Sequence, residues 1–209
     1  MRLYIKGDYT KEIPFDYIEL AKRMWFDTKD CKPVDFSYFG NTRPFKTDPT
    51  IHLKLNKWMH DNRWNNVQLK EGITNKFGSH VYENLELDFE DNPATDFREN
   101  GDCLRLASTH LELLTLDKRA FYIMAIEIAT IFNGQISEDD MKTWLTIEEF
   151  KEKHQDILSL TFDKANEMSL EEIQTIDAID DPIWEELDRK REEYIKIHGE
   201  CVCDDEEDE

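Results

Sequence analysis

The strongest hydrophobic pattern in the chain is Asp117–Phe132, DKRAFYIMAIEIATIF, in which Glu127 is the only charge after Arg119. Phe121, Met124, Ala125, Ile128, Ala129 and Phe132 recur at helical spacing and share one face. Ile123, Ile126 and Ile131 widen that stripe, which predicts a helix buried against more than one neighbour. Asp117 reads as its N-cap, and Asn133-Gly134 as the left-handed stop. At about 2 kcal/mol per large apolar side chain buried, no other segment contributes as much to the expected core.

Upstream, the pattern alternates. Leu3 and Ile5 against Tyr4 and Lys6 predict a strand over Arg2–Lys6 that Gly7-Asp8 ends. Pro14 stands at a first helical position, and Phe15, Ile18, Ala21 or Lys22, and Trp25 give a helical stripe to about Phe26. Residues 27–50 carry Pro33, Gly40, Pro44 and Pro49 among aromatics, an irregular loop with a short strand at Val34–Phe39. Thr50–Leu55 alternates as a half-buried strand, and Asn56–Asn66 reads as a short helix or turn. Val81–Phe89 is expected as a strand with Leu85, Leu87 and Phe89 inward and Glu86, Asp88 and Glu90 outward. Those carboxylates repel one another unless solvated or met by a basic partner. After a turn at Asp91–Asp102, Cys103–Leu116 reads as a long strand with a bulge near Ser108.

Downstream of the buried helix come a strand through Ile136, an acidic turn at Glu138-Asp139-Asp140, and Trp144-Leu145. Thr146 with Glu149 forms a capping box for a helix Ile147–Leu158, and Ser169 with Glu172 predicts another for a helix to about Ile176. Asp181-Pro182 starts the last helix, striped by Ile183, Trp184, Leu187, Tyr194 and Ile195. The expected architecture is α+β: an antiparallel or mixed sheet covered by helices, one central helix buried, the C-terminal third helical. Residues 1–199 are read as one domain, helical from about residue 160, and 200–209 as an acidic disordered tail.

Charge changes this picture. The net charge is −21, and residues 165–209 hold 18 Asp/Glu against 4 Lys/Arg, leaving −7 for residues 1–164. So acidic a surface repels nucleic acid and anionic lipid and steers basic proteins toward it. The aromatics Phe36, Tyr38, Phe39, Trp58 and Trp64 near Arg43, Lys46, Lys54, Lys57 and Arg63 could stack bases, but the overall charge opposes a polyanion. The irregular cysteines Cys31, Cys103, Cys201 and Cys203, without a signal peptide, point to free thiols in a reducing cytoplasm. No apolar run approaches the roughly 20 residues that span a bilayer.

Site chemistry is sparse. His198 with Cys201 and Cys203 offers three soft ligands but no second pair, short of a structural zinc set. Glu138-Asp139-Asp140 lacks calcium-loop spacing. His110 and Glu112, two apart on the expected strand, are the nearest histidine–acid coupling and read better as a solvent-facing pair. No nucleophile elbow, phosphate loop or dinucleotide fingerprint occurs, and no metal or cofactor is expected.

From Leu113 to Phe150, the helix AFYIMAIEIATIFN followed by GQISEDDMKTWLTIEEF resembles a unit of bacterial immunity proteins of polymorphic or contact-dependent toxin systems. The resemblance spans fewer than 40 of 209 residues and carries over no catalytic residue. It implies a non-enzymatic protein that occludes another protein's active site, and the acidity would complement a basic toxin or nuclease. The expected contacts are Glu86, Asp88, Glu90, Glu138, Asp139 and Asp140, with Trp58 or Trp64 as anchor. The alternatives are a phage-type DNA mimic that blocks a defence nuclease, or an enzyme of unrecognised class.

Overall fold

A computed structural model describes residues 1–14, 16–26, 35–40, 51–73, 75–89, 103–180 and 182–198. Its strands are β1 (Arg2–Lys6), β2 (Phe36–Gly40), β3 (Ile51–Leu55), β4 (Leu85–Phe89), β5 (Leu104–Ser108) and β6 (Gln135–Ser137). Its helices are α1 (Tyr17–Trp25), α2 (Lys57–His60), α3 (Thr115–Ile131), α4 (Ile147–Lys153), α5 (Gln155–Leu158), α6 (Phe162–Glu172) and α7 (Ile183–His198). The strands form one antiparallel sheet in the order β2-β3-β4-β5-β1-β6. The α+β class expected from the pattern is the class observed.

Register explains the core. Leu3 pairs with Leu106, Ile5 with Leu104 and Ile136, and Leu53 with Leu85, so aliphatic residues from five strands share one face. All are buried, and α3 packs on that side together with α1. The wide apolar stripe of α3 is used on several sides, with α1, α4, α5, α6, β1 and β6 as neighbours. Its one late charge, Glu127, meets Arg23 of α1 at 2.9 Å. At the C-terminal end Asn133 takes the left-handed conformation at φ 48°, as the Asn-Gly signal implies. Gly134 is needed for a second reason: a Cβ there would lie 2.4 Å from the Lys6 carbonyl oxygen.

Several boundaries differ from the sequence reading. Helix α1 begins after Asp16, whose carboxylate accepts from the Ile18 and Glu19 amides. Leu20, Ala21, Met24 and Trp25 are its buried residues, while Ile18 is exposed, so the stripe is rotated by about one position. Residues 80–82 form a 3-10 turn rather than the start of a strand. Strand β5 stops at Ser108, whose hydroxyl donates to the His110 carbonyl, so the slip in alternation marks a strand end and not a bulge. Helix α3 starts at Thr115, making Asp117 a first-turn residue rather than the N-cap.

Another difference concerns Ser169 and Glu172, which sit inside α6, itself capped by Thr161. They cap a different helix. Leu116 N–H donates to Ser169 Oγ at 2.8 Å, Thr115 N–H to Glu172 Oε2 at 2.8 Å, and Thr115 Oγ1 to Glu172 Oε1 at 2.5 Å. The first two amides of α3 are thus satisfied across the helix pair, which fixes where α6 lies. By contrast the Thr146/Glu149 capping box opens α4 as read, and a break at His154 divides the expected Ile147–Leu158 helix into α4 and α5.

A second small core under α6 joins Trp64, Val81, Leu114 and Ile173. The expected loop at 27–34 and 41–50, the turn after Phe89 and the tail from 199 lie outside the described residues. No helix among the described residues is long and apolar enough to cross a membrane.

Candidate functional site

Between the two cores the chain gathers five ionisable side chains that sequence spacing does not connect: Lys57, His80, Glu83, His110 and Asp117. Lys57 opens α2 directly after β3, a position that turns its side chain inward. Its Nζ lies 2.7 Å from Asp117 Oδ2, with both side chains only 1% exposed. It also donates to the His80 carbonyl at 2.6 Å and stands 5.4 Å from the centroid of the Trp64 ring. The first turn of α3 favours a carboxylate at Asp117 through its unpaired amides. Even so, burial pushes the Asp117 pKa up to about 6 against the pull of Lys57, and the nearby Glu83 carboxylate adds to the rise.

The 3-10 turn at His80–Tyr82 places His80 face to face with His110, ring centroids 3.9 Å apart and planes 19° from parallel. His80 Nε2 donates to the Glu112 carbonyl, which fixes the proton on that nitrogen and leaves a lone pair on Nδ1. Burial pushes the His80 pKa down to about 3, with His110 and Lys57 acting in the same direction, so the ring is neutral near neutral pH. His110 Nδ1 lies 2.6 Å from Glu83 Oε2, and Glu83 Oε1 accepts from the Thr109 amide at 2.8 Å. The other ring nitrogens, His80 Nδ1 and His110 Nε2, are buried and have no hydrogen-bond partner.

The sequence reading of His110 is corrected here. There is no strand at 110–112, the ring is buried, and its acid is Glu83. Glu112 contributes a backbone oxygen to His80 instead. Local spacing could not have found this, because the two histidines are thirty residues apart and the pairing of β4 with β5 brings their segments together.

The acidic contact residues fare unevenly. Glu86 does not point into solvent; it is 6% exposed and lies 3.4 Å from Arg105 across the β4–β5 pair, with His52 at 3.9 Å. Asp88 is half-buried and partnered, and Glu90 lies outside the described residues. Glu138 is bound by Lys153 at 2.6 Å and His154 at 2.8 Å. Asp139 accepts from the Thr143 amide and hydroxyl and from Ser137 Oγ, and the Thr143 bonds hold its pKa down at about 2. In that turn Asp140, left-handed at φ 54°, is the exposed carboxylate.

Trp64 is not available as an anchor: it is 1% exposed and its Nε1 donates to Asn166 Oδ1 at 2.8 Å. Trp58 is half-buried against Tyr82, ring centroids 5.3 Å apart. Of the cations near these aromatics, Lys57 is consumed internally, and Arg63 is held by Asp61 at 2.5 Å and Glu167 at 2.6 Å. Lys57 is therefore unavailable for stacking nucleic-acid bases, and the exposed Arg63 is neutralised by two carboxylates. His198 with Cys201 and Cys203 falls outside the described side chains, as does Cys31, while Cys103 is buried.

On the C-terminal helices exposed acids outnumber exposed cations among the described side chains. Glu148 and Glu152 of α4, Asp163 and Glu171 of α6, and Glu185 and Glu192 of α7 are all exposed. Between α3 and α4–α5 an open groove of about 640 Å³ is lined by Ile123, Ile126, Glu127, Glu152 and Leu158, and no histidine faces it. Neither a protein-family model, nor a curated protein, nor a solved structure matches this chain.

Proposed function

We propose that this chain is an acidic, non-enzymatic binding protein that docks a basic protein, a toxin or nuclease, and covers its working surface. The observation that carries this reading is the division of labour among the carboxylates. Glu83, Glu86 and Asp117 are buried against cations or histidines, whereas Glu148, Glu152, Asp163, Glu171, Glu185 and Glu192 of the C-terminal helices face water. Lys151, Lys153, Lys164, Arg189 and Lys196 are exposed among these acids, but the acids outnumber them, and a net negative surface raises the association rate of a basic partner and discriminates against acidic ones. The contact surface is therefore assigned to the exposed acids of the C-terminal helices and to Asp140, rather than to the β4 acids. The resemblance of Leu113–Phe150 to immunity proteins favours the same role.

The test is capture of partners from the native host by immobilised protein at low and at moderate salt. A basic protein is expected, its recovery falling with salt because exposed charges are screened. Glu148→Gln, Glu152→Gln, Glu185→Gln and Glu192→Gln together should lower its association rate at low salt while leaving the fold intact. Unchanged association in that variant would reject the acidic-face reading. Turnover of a small substrate without any captured protein would favour an enzyme instead.

A further inference from the structure

The buried imidazole pair contributes nothing to an acidic docking face, so it calls for a separate explanation. Buried polar groups are nearly always hydrogen-bonded, and each exception asks for a cause such as a bound ion. Here one exception is His80 Nδ1, buried in a ring stacked on His110, whose own Nδ1 meets the Glu83 carboxylate. One nitrogen from each ring and one Glu83 oxygen already lie within 4.8 Å of one another.

The geometry points to a buried site for one zinc-class ion, with His80 Nδ1, His110 Nδ1 and Glu83 Oε2 as three ligands and a water in the fourth position. Two imidazoles and a carboxylate suit zinc and its first-row neighbours, whereas calcium and magnesium prefer oxygen donors alone. The supporting contacts are those that metal ligands characteristically have. His80 gives its Nε2 proton to the Glu112 carbonyl, leaving Nδ1 free to donate its lone pair. Glu83 is steadied through its other oxygen by the Thr109 amide.

The ion would replace the proton now shared between His110 Nδ1 and Glu83 Oε2. Ligands about 2.1 Å from a tetrahedral ion stand about 3.4 Å apart, so the 2.6 Å contact opens and the His80 ring turns out of its stack to aim Nδ1. The displaced proton leaves for solvent, or moves to His110 Nε2 if that nitrogen is bare. All three side chains are buried, and the ion would tie the turn at residues 80–83 to the segment after β5.

The experiment uses the full chain carrying Cys201→Ser and Cys203→Ser, so that tail thiolates do not compete, stripped with a chelator and titrated with Zn²⁺. One equivalent is expected to bind and to survive gel filtration, and the thermal midpoint should rise with zinc concentration. His80→Gln, His110→Gln and Glu83→Gln should each weaken binding by at least about tenfold. Should any variant fail to fold, Co²⁺ substitution in the chain with its ligands intact gives an independent reading. Intense visible bands of a tetrahedral, sulfur-free ion are expected. Failure to retain zinc, equal affinity in a folded His80→Gln/His110→Gln double variant, or a pale octahedral cobalt spectrum would each overturn the assignment. The cluster would then be a proton-bridged pair and nothing more.

Discussion

Removing Lys57 isolates the energetic role of the buried cluster. Lys57 and Asp117 are each 1% exposed and 2.7 Å apart, with no solvent to screen a survivor. Breaking such a pair from one side costs about 3–5 kcal/mol, because an uncompensated charge stays inside. Lys57→Met should lose that much near neutral pH, and Asp117→Leu a similar amount. In the double variant no charge is stranded, and the residual cost is the unpaired His80 carbonyl, about 1–3 kcal/mol. The double variant should therefore be markedly more stable than the sum of the singles predicts, by at least about 2 kcal/mol.

The sign of the pH dependence follows from Asp117. Its folded pKa, about 6, lies above the ordinary 3.8, so the stability it contributes is complete below 3.8 and is lost as pH rises through 6. Without Lys57 the carboxyl is held neutral still more strongly. The deficit of Lys57→Met should accordingly shrink when urea unfolding, followed by far-ultraviolet circular dichroism, is repeated near pH 5 instead of near pH 7. Additive single variants, or a deficit independent of pH, would refute this account of the pair.

Three further outcomes follow from the fold. Ser169→Ala removes the acceptor of the Leu116 amide and should cost about 1 kcal/mol, with faster hydrogen exchange at Thr115 and Leu116; a loss of protection confined to α6 would contradict the cross-helix cap. Gly134→Ala forces a methyl against the Lys6 carbonyl and should destabilise by about 1–3 kcal/mol, read as a lower urea midpoint. Asp139 has its pKa lowered to about 2 by Thr143, so its contribution is present above 3.8 and lost as pH falls toward 2. Asp139→Asn should flatten that part of the acid limb of the stability curve, and an unchanged acid limb would show that the Thr143 bonds do not matter.

The chain by itself determines whatever depends on periodicity and local hydrogen bonding. Helix α3 is legible because its apolar residues recur at helical spacing, and its end because Asn133-Gly134 can turn left-handed. The Thr146/Glu149 box is legible because both partners lie within one turn. Alternation likewise reveals β1 and β3, and with them the α+β class. The buried cluster is different. A lysine, two histidines, a glutamate and an aspartate in an acidic chain look like solvated surface until β4 pairs with β5 and α3 folds onto the sheet. Glu86 and Trp64 mislead for the same reason: local pattern shows which residues share a face or a turn, not whether something covers them. Even the Ser169/Glu172 spacing, correct as a capping signal, serves a helix more than fifty residues away in sequence. Donors and acceptors separated by that much chain are matched by packing alone, and only the tertiary structure decides which ones meet.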